Sequence, residues 1–68
     1  MNETELNKQF KDKKVIVWSD LHYDRPSINI GTFLFAQDNF IFLNDLKDGV
    51  IGIAIPSILR IAKLRKKL

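Results

Sequence analysis

Asp20, His22 and Asp24 alternate along one short stretch, and two carboxylates with an imidazole at that spacing are residue types that can hold a divalent cation. His22 is the chain's single histidine and cysteine is absent, so the usual four-ligand zinc sets cannot be assembled. There is no Gly-rich phosphate loop, and His22 has no obvious nucleophile partner. The expectation is therefore no catalytic set, no metal site and no cofactor. A second chemistry is anion binding. Arg60, Lys63, Arg65, Lys66 and Lys67 fall within residues 57–68 with no acid among them, a run of +5 that could meet phosphates or anionic headgroups. The same run also reads as a solvated terminus that does no more than keep the chain soluble.

The frame for these residues is small. Sixty-eight residues make at most one domain. A chain this short buries only roughly 60% of its unfolded surface and usually needs a staple or a partner. With disulfides and a structural zinc excluded, self-association is the most economical source of extra burial. At 46% hydrophobic, the chain is too apolar for a disordered tail. Its net charge of +3 is unevenly spread. Residues 1–14 carry four lysines against three acids, for +1, while residues 20–48 carry Arg25 and Lys47 against five aspartates, for −3. A basic tail is thus attached to a mildly acidic body. Residues 1–14 lack the apolar centre of a signal peptide, and the charge-free stretches 26–37 and 49–59 fall short of the roughly 18–20 residues that span a bilayer. A chain with no membrane span is expected, and the absence of cysteine fits the cytoplasm.

The elements that must position these residues follow from local pattern. Asn2 or Thr4 can cap a short helix with Glu3 and Glu5 in its first turn, Leu6 and Phe10 on one apolar face and lysines crowding its end. Val15-Ile16-Val17-Trp18 favours a strand, and Tyr23-Asp24-Arg25-Pro26-Ser27 is turn chemistry. Thr32-Phe33-Leu34-Phe35-Ala36 and Phe40-Ile41-Phe42-Leu43 are apolar on both faces, with Gln37-Asp38-Asn39 between them as a tight hairpin. Strands of that kind must be covered on both sides, by a small closed barrel, an oligomer interface, or both. Asp48-Gly49 is the preferred pair for a type I′ turn, and in residues 50–55 Ile51, Ile53 and Ile55 share one face while Val50, Gly52 and Ala54 share the other. Pro56 interrupts that strand. Residues 57–64 suit a last short strand or a basic amphipathic helix, with the strand favoured over residues 58–61.

Two family resemblances emerge. Residues 15–24, a hydrophobic strand ending in Asp20-Leu21-His22, resemble the first motif of calcineurin-like metallophosphoesterases, where such an aspartate and histidine bind one of two metals. That chemistry needs further ligands from later loops. This chain has no second histidine and no later Gly-Asp or Gly-Asn-His motif, so this resemblance is set aside. The plan of the whole chain resembles an Sm-like subunit of the LSm/Hfq kind. Residues 6–10 precede the first strand, Gly31-Thr32-Phe33 is similar to the start of that family's first motif, and Asp38-Asn39-Phe40-Ile41-Phe42-Leu43 is similar to its Asp-x-aromatic-hydrophobic run. Residues 53–61 are similar to its second motif, a strand, a tight turn and a closing strand. The resemblance implies a mainly β fold: a helix over residues 1–12, a five-stranded, strongly bent SH3/Sm-like barrel over 13–62 and a basic tail over 63–68. An extra residue between Gly31 and Asp38 would need a bulge.

By resemblance, Asp38 would order a turn, Asn39 would hydrogen-bond a base, and Phe40 would be a stacking platform. The family's polar pair in the second motif is replaced by Ile55-Pro56, which neither donates to phosphate nor reads a base. Phe33, Phe35, Phe40 and Phe42 also read simply as core and interface packing. The leading expectation is a non-enzymatic, ring-forming homo-oligomer that binds RNA or another polyanion through Asp38, Asn39, Phe40, Arg60, Lys63, Arg65, Lys66 and Lys67. The alternative is a protein–protein adaptor, of phage or mobile-element origin, that uses barrel edges to hold a protein partner and binds no nucleic acid. A third possibility, a membrane-surface peptide, requires residues 57–68 to be helical.

Overall fold

The computed structural model describes residues 2–22 and 25–65. Helix α1 (Glu3–Phe10) starts where the Asn2 side chain accepts hydrogen bonds from the Thr4 and Glu5 amides, so Asn2 rather than Thr4 is the cap. Leu6 and Phe10, one turn apart, are its buried residues. Five strands follow: β1 (Lys14–His22), β2 (Arg25–Gln37), β3 (Phe40–Asp45), β4 (Gly49–Ala54) and β5 (Ile58–Lys63). All pairings are antiparallel, in one open sheet of order β4-β3-β2-β1-β5. The expected mainly β chain with a short leading helix is thus what the structure shows. No helix among the described residues is long and apolar enough to cross a membrane.

β2 holds this sheet together. Its first half pairs with β1 and its second half with β3, and the two ladders overlap at Gly31 and Thr32. At Gly31 a side chain has no room, because a Cβ there would lie 2.3 Å from the Asn44 carbonyl oxygen. Asp12 and Lys13, just before β1, still bond the Phe33 backbone, and beyond it α1 takes over. The Asn7 amide donates to the Ala36 carbonyl at 3.1 Å, and its oxygen accepts from the Ala36 amide at 2.7 Å. A helix side chain therefore satisfies backbone groups that a missing strand would otherwise bond. The register of β2 on β3 shifts between Phe33 and Phe35, so Leu34 is an additional residue on β2 at a bulge.

One face of the sheet carries the core. Val15, Val17, Phe33, Ile41 and Leu43 are fully buried, joined by Ala36, Ile53, Ile55, Leu6 and Phe10. The Phe10 ring meets Phe33 at 5.9 Å between centroids, fixing α1 to this face. The opposite face is not covered within the chain. Phe35 and Phe40 are exposed and Phe42 is half-buried, so the two-faced strands have a core on one side only.

Two local expectations need correction. Of the turn read over residues 23–27, residues 25–27 instead open β2, with Pro26 opposite Leu21 just past a register shift in β1, and residues 23–24 lie outside the described residues. Proline is tolerated there because an irregular pairing at a strand's start demands no regular ladder donor from it. The β3–β4 turn is not type I′. That turn needs positive φ at both central residues, but here the positive φ of 77° falls on Gly49, opposite Asp45 after a three-residue loop. Asp38 and Asn39, at φ 55° and 68°, form the two-residue hairpin loop instead. The strand favoured over residues 58–61 is found as β5, and with it the helix that a membrane-surface role would need is absent over residues 58–63.

Asp45 explains the longer β3–β4 loop. It is buried, with 7% of its surface exposed. Its Oδ2 accepts from the Lys47 and Asp48 amides, both at 3.0 Å, and its Oδ1 accepts from the Asn29 amide at 3.3 Å. The Asp48 amide is the main cause that holds the carboxyl below its ordinary value, against burial that pushes it up, with further help from the Lys47 amide, Asn29 and the Lys47 charge. A depressed folded value makes this stabilisation complete above the unfolded carboxyl's pKa of about 3.9 and lost as pH falls from there through the folded value. Asp45→Asn should cost about 1–3 kcal/mol in urea unfolding at neutral pH, the range for hydrogen bonds to a charged group. The gap from the parent should narrow below about pH 4, whereas an equal gap at pH 7 and pH 3 would contradict this role.

Candidate nucleic-acid interface

The residues with binding chemistry occupy two separate parts of the sheet. At one end, the 38–39 hairpin places Gln37 opposite Phe40 and Phe40 opposite Ala54. The loop is fixed by its backbone: the Asn39 amide donates to the Glu3 carboxylate, and the Asn39 carbonyl accepts from Ile55 at 2.9 Å. Asp38, Asn39 and Phe40 are all exposed, with 42% of Phe40 open to solvent. Left-handed backbone at Asp38 and Asn39 suits their short polar side chains.

Phe40 does not stand alone. Its ring lies 6.3 Å from Phe42, and Phe42 stacks on Phe35 at 4.8 Å with the planes 30° apart. The rings have room because their partners on β4 are Ala54 and Gly52. A Cβ at Gly52 would come within 3.1 Å of the Phe42 ring. Three phenylalanines thus line the outer face over small residues, and the next residues along it, Asn44 and Val50, are uncharged.

The basic residues lie elsewhere. β5 is the opposite edge strand from β4, and Arg60 sits in a row with Trp18 on β1 and Ile28 on β2. Ile28 is near the start of β2, whereas Phe40 pairs with Gln37 at its end. Arg60, Lys63 and Arg65 are exposed. Lys66 and Lys67 lie outside the described residues. The structure therefore gathers Asp38, Asn39 and Phe40 at one place, and puts the basic residues on and after β5, with Arg60 on the Trp18 face and Lys63, opposite Val15, on the other.

Residues that composition and spacing did not single out complete both places. Glu3 and Asn7 of α1 pin the hairpin end of β2. Trp18 lies under Arg60, with the guanidinium carbon 4.8 Å from the ring centroid. Nothing local could show that contact, because it depends on the register of two strands at opposite ends of the chain. Strand alternation alone places Trp18 opposite the buried Val15 and Val17.

Other features carry less chemistry. A groove of about 310 Å³ between α1 and β5 is lined by Glu5, Leu6, Gln9, Phe10 and Ile61, with Glu5 its only ionisable group. Among the described residues no three His, Cys, Asp or Glu side chains come together. Asp24 and the His22 side chain lie outside what the structure describes. No family model, curated protein or solved structure matches the chain.

The position of Phe40 makes it a clean probe. Half-exposed and at the end of a hairpin, it contributes little beyond its ring contact, so Phe40→Ala should lower stability by less than about 1.5 kcal/mol. Thermal melts with an unchanged circular dichroism spectrum would check this. A loss as large as that of a core phenylalanine, about 3–5 kcal/mol, would mean that Phe40 belongs to the core.

Proposed function

We propose that the chain is a non-enzymatic, Sm-like subunit that assembles into a ring and binds RNA or a similar polyanion. The observation that carries this reading is the strand order β4-β3-β2-β1-β5 behind a short helix, with a 3-10 turn over Ile55–Ser57 between β4 and β5. Ser57 Oγ closes that turn on the Ala54 carbonyl at 2.8 Å, where the resemblance to the family's second motif expects a tight turn. The order leaves one unpaired edge on β4 and one on β5. Unpaired edges of this kind template strand addition, and joining two different edges is a heterologous contact that closes into a ring when its rotation allows. Val50 on one edge strand and Leu59 on the other, 68% and 56% exposed, offer apolar surface to such contacts.

Polyanion binding rests on Arg60, Lys63, Arg65, Lys66 and Lys67, with Asp38, Asn39 and the open ring of Phe40 at the other place. Ile55 and Pro56 offer no polar side chain, so phosphate contact falls to the basic strand and tail. A second reading, a protein-binding adaptor, draws on the uncharged phenylalanine face, which has no cation to neutralise phosphate.

Anisotropy of labelled U-rich and A-rich RNA across a salt series separates the two. The polyanion reading predicts binding at low salt that weakens log-linearly, with a slope of about −0.7 per phosphate neutralised. Phe40→Ala should weaken it by about fivefold or more if one base stacks there. No binding to either RNA at low salt would reject the polyanion reading and leave the adaptor.

A further inference from the structure

The pair Trp18–Arg60 lies on the uncovered face of the sheet, away from the hairpin, and nothing in the core requires it. Trp18 is half-buried, and its neighbours in the row are the exposed Arg60 and an Ile28 that is 54% exposed. One residue pair further, Ile16 lies between Ala62 and Ile30, so the floor beside the indole is apolar. Lys14 is on the same face of β1 and exposed, roughly 13 Å along the strand from Trp18 at 3.3 Å per residue. Lys63 ends β5, and Arg65 follows it. Asp20, also on β1, falls at the register irregularity between Ser19 and Leu21, where strict alternation with Trp18 is broken.

We infer that Trp18 and Arg60 form a stacking site for a base of single-stranded nucleic acid, with Lys14, on the same face, placed to meet a neighbouring phosphate. The inference rests on the polyanion reading above and adds a place and a binding residue to it. A guanidinium laid on an indole offers a plane on which a base can stack and a fixed positive charge beside it. Holding Arg60 on the ring limits the rotamer freedom that a free arginine would lose on binding. The charge on this face favours nucleic acid over a protein partner: two cations, Arg60 and Lys14, accompany an aromatic on an apolar floor, whereas the phenylalanine end has an aromatic surface without cations.

Trp18 is the chain's single tryptophan, so its emission reports this site alone. The unmodified protein is titrated with oligouridylate at low salt, following tryptophan emission and, in parallel, the anisotropy of labelled RNA. The expected result is quenching that saturates together with anisotropy. Trp18→Ala should weaken binding by about tenfold, the effect of losing one stacked base, while Trp18→Phe should retain most of the affinity. Arg60→Gln keeps the reporter and should weaken binding, whereas Phe40→Ala should leave the quench amplitude unchanged. RNA that binds by anisotropy without altering Trp18 emission would overturn the stacking site and leave the polyanion reading standing. RNA that does not bind by either readout would remove both. If Trp18→Ala fails to fold, the emission titration of the parent and of Arg60→Gln still decides.

Discussion

The sheet depends on the close approach at Gly31. β2 is one thirteen-residue strand that serves two partners in turn, and the exchange takes place where the Asn44 carbonyl occupies the space a side chain would need. Bare backbone at that point lets β1 and β3 leave opposite sides of the same strand almost end to end. From this the rest follows. β1 carries β5 on its far side, β3 carries β4, and the last two strands of the chain become the two edges of the sheet. The backbone that β1 leaves uncovered is the part that Asn7 bonds, and the Phe10–Phe33 contact then closes the core.

That arrangement also sets what the molecule offers outward. A short chain with one helix can cover one face of a five-stranded sheet, and α1 covers the face with Phe33, Ile41 and Leu43. The other face divides by charge. Toward β4 it is aromatic and uncharged, with rings resting over Gly52 and Ala54, and toward β5 it is aromatic and basic, with Arg60 on Trp18. The two halves suit different partners, the first a protein surface and the second a phosphate backbone.

Much of this was legible in local pattern, and the exceptions have physical causes. Asn2, Leu6 and Phe10 announce α1 because capping and one-turn spacing act within a few residues. The turn after β3 was misread because Asp48-Gly49 suits a type I′ turn, while the buried Asp45 draws the Lys47 and Asp48 amides toward itself and leaves Gly49 alone in left-handed backbone. Arg25 and Pro26 looked like turn residues because proline lacks a donor, yet the start of a strand beside an irregular pairing does not need one. In the candidate site, the exposed Phe40 and the basic run could be seen as separate features. Their separation in space, and the place of Trp18 beneath Arg60, come from long-range strand pairing that no local pattern encodes.

The central claim is that the free edges of β4 and β5 are completed by other copies of the chain. Mass in solution, by light scattering on a sizing column, tests it most directly. A single closed species of about five to seven subunits, constant on dilution, is what joining unlike edges predicts. The mass of one chain at every concentration would contradict it.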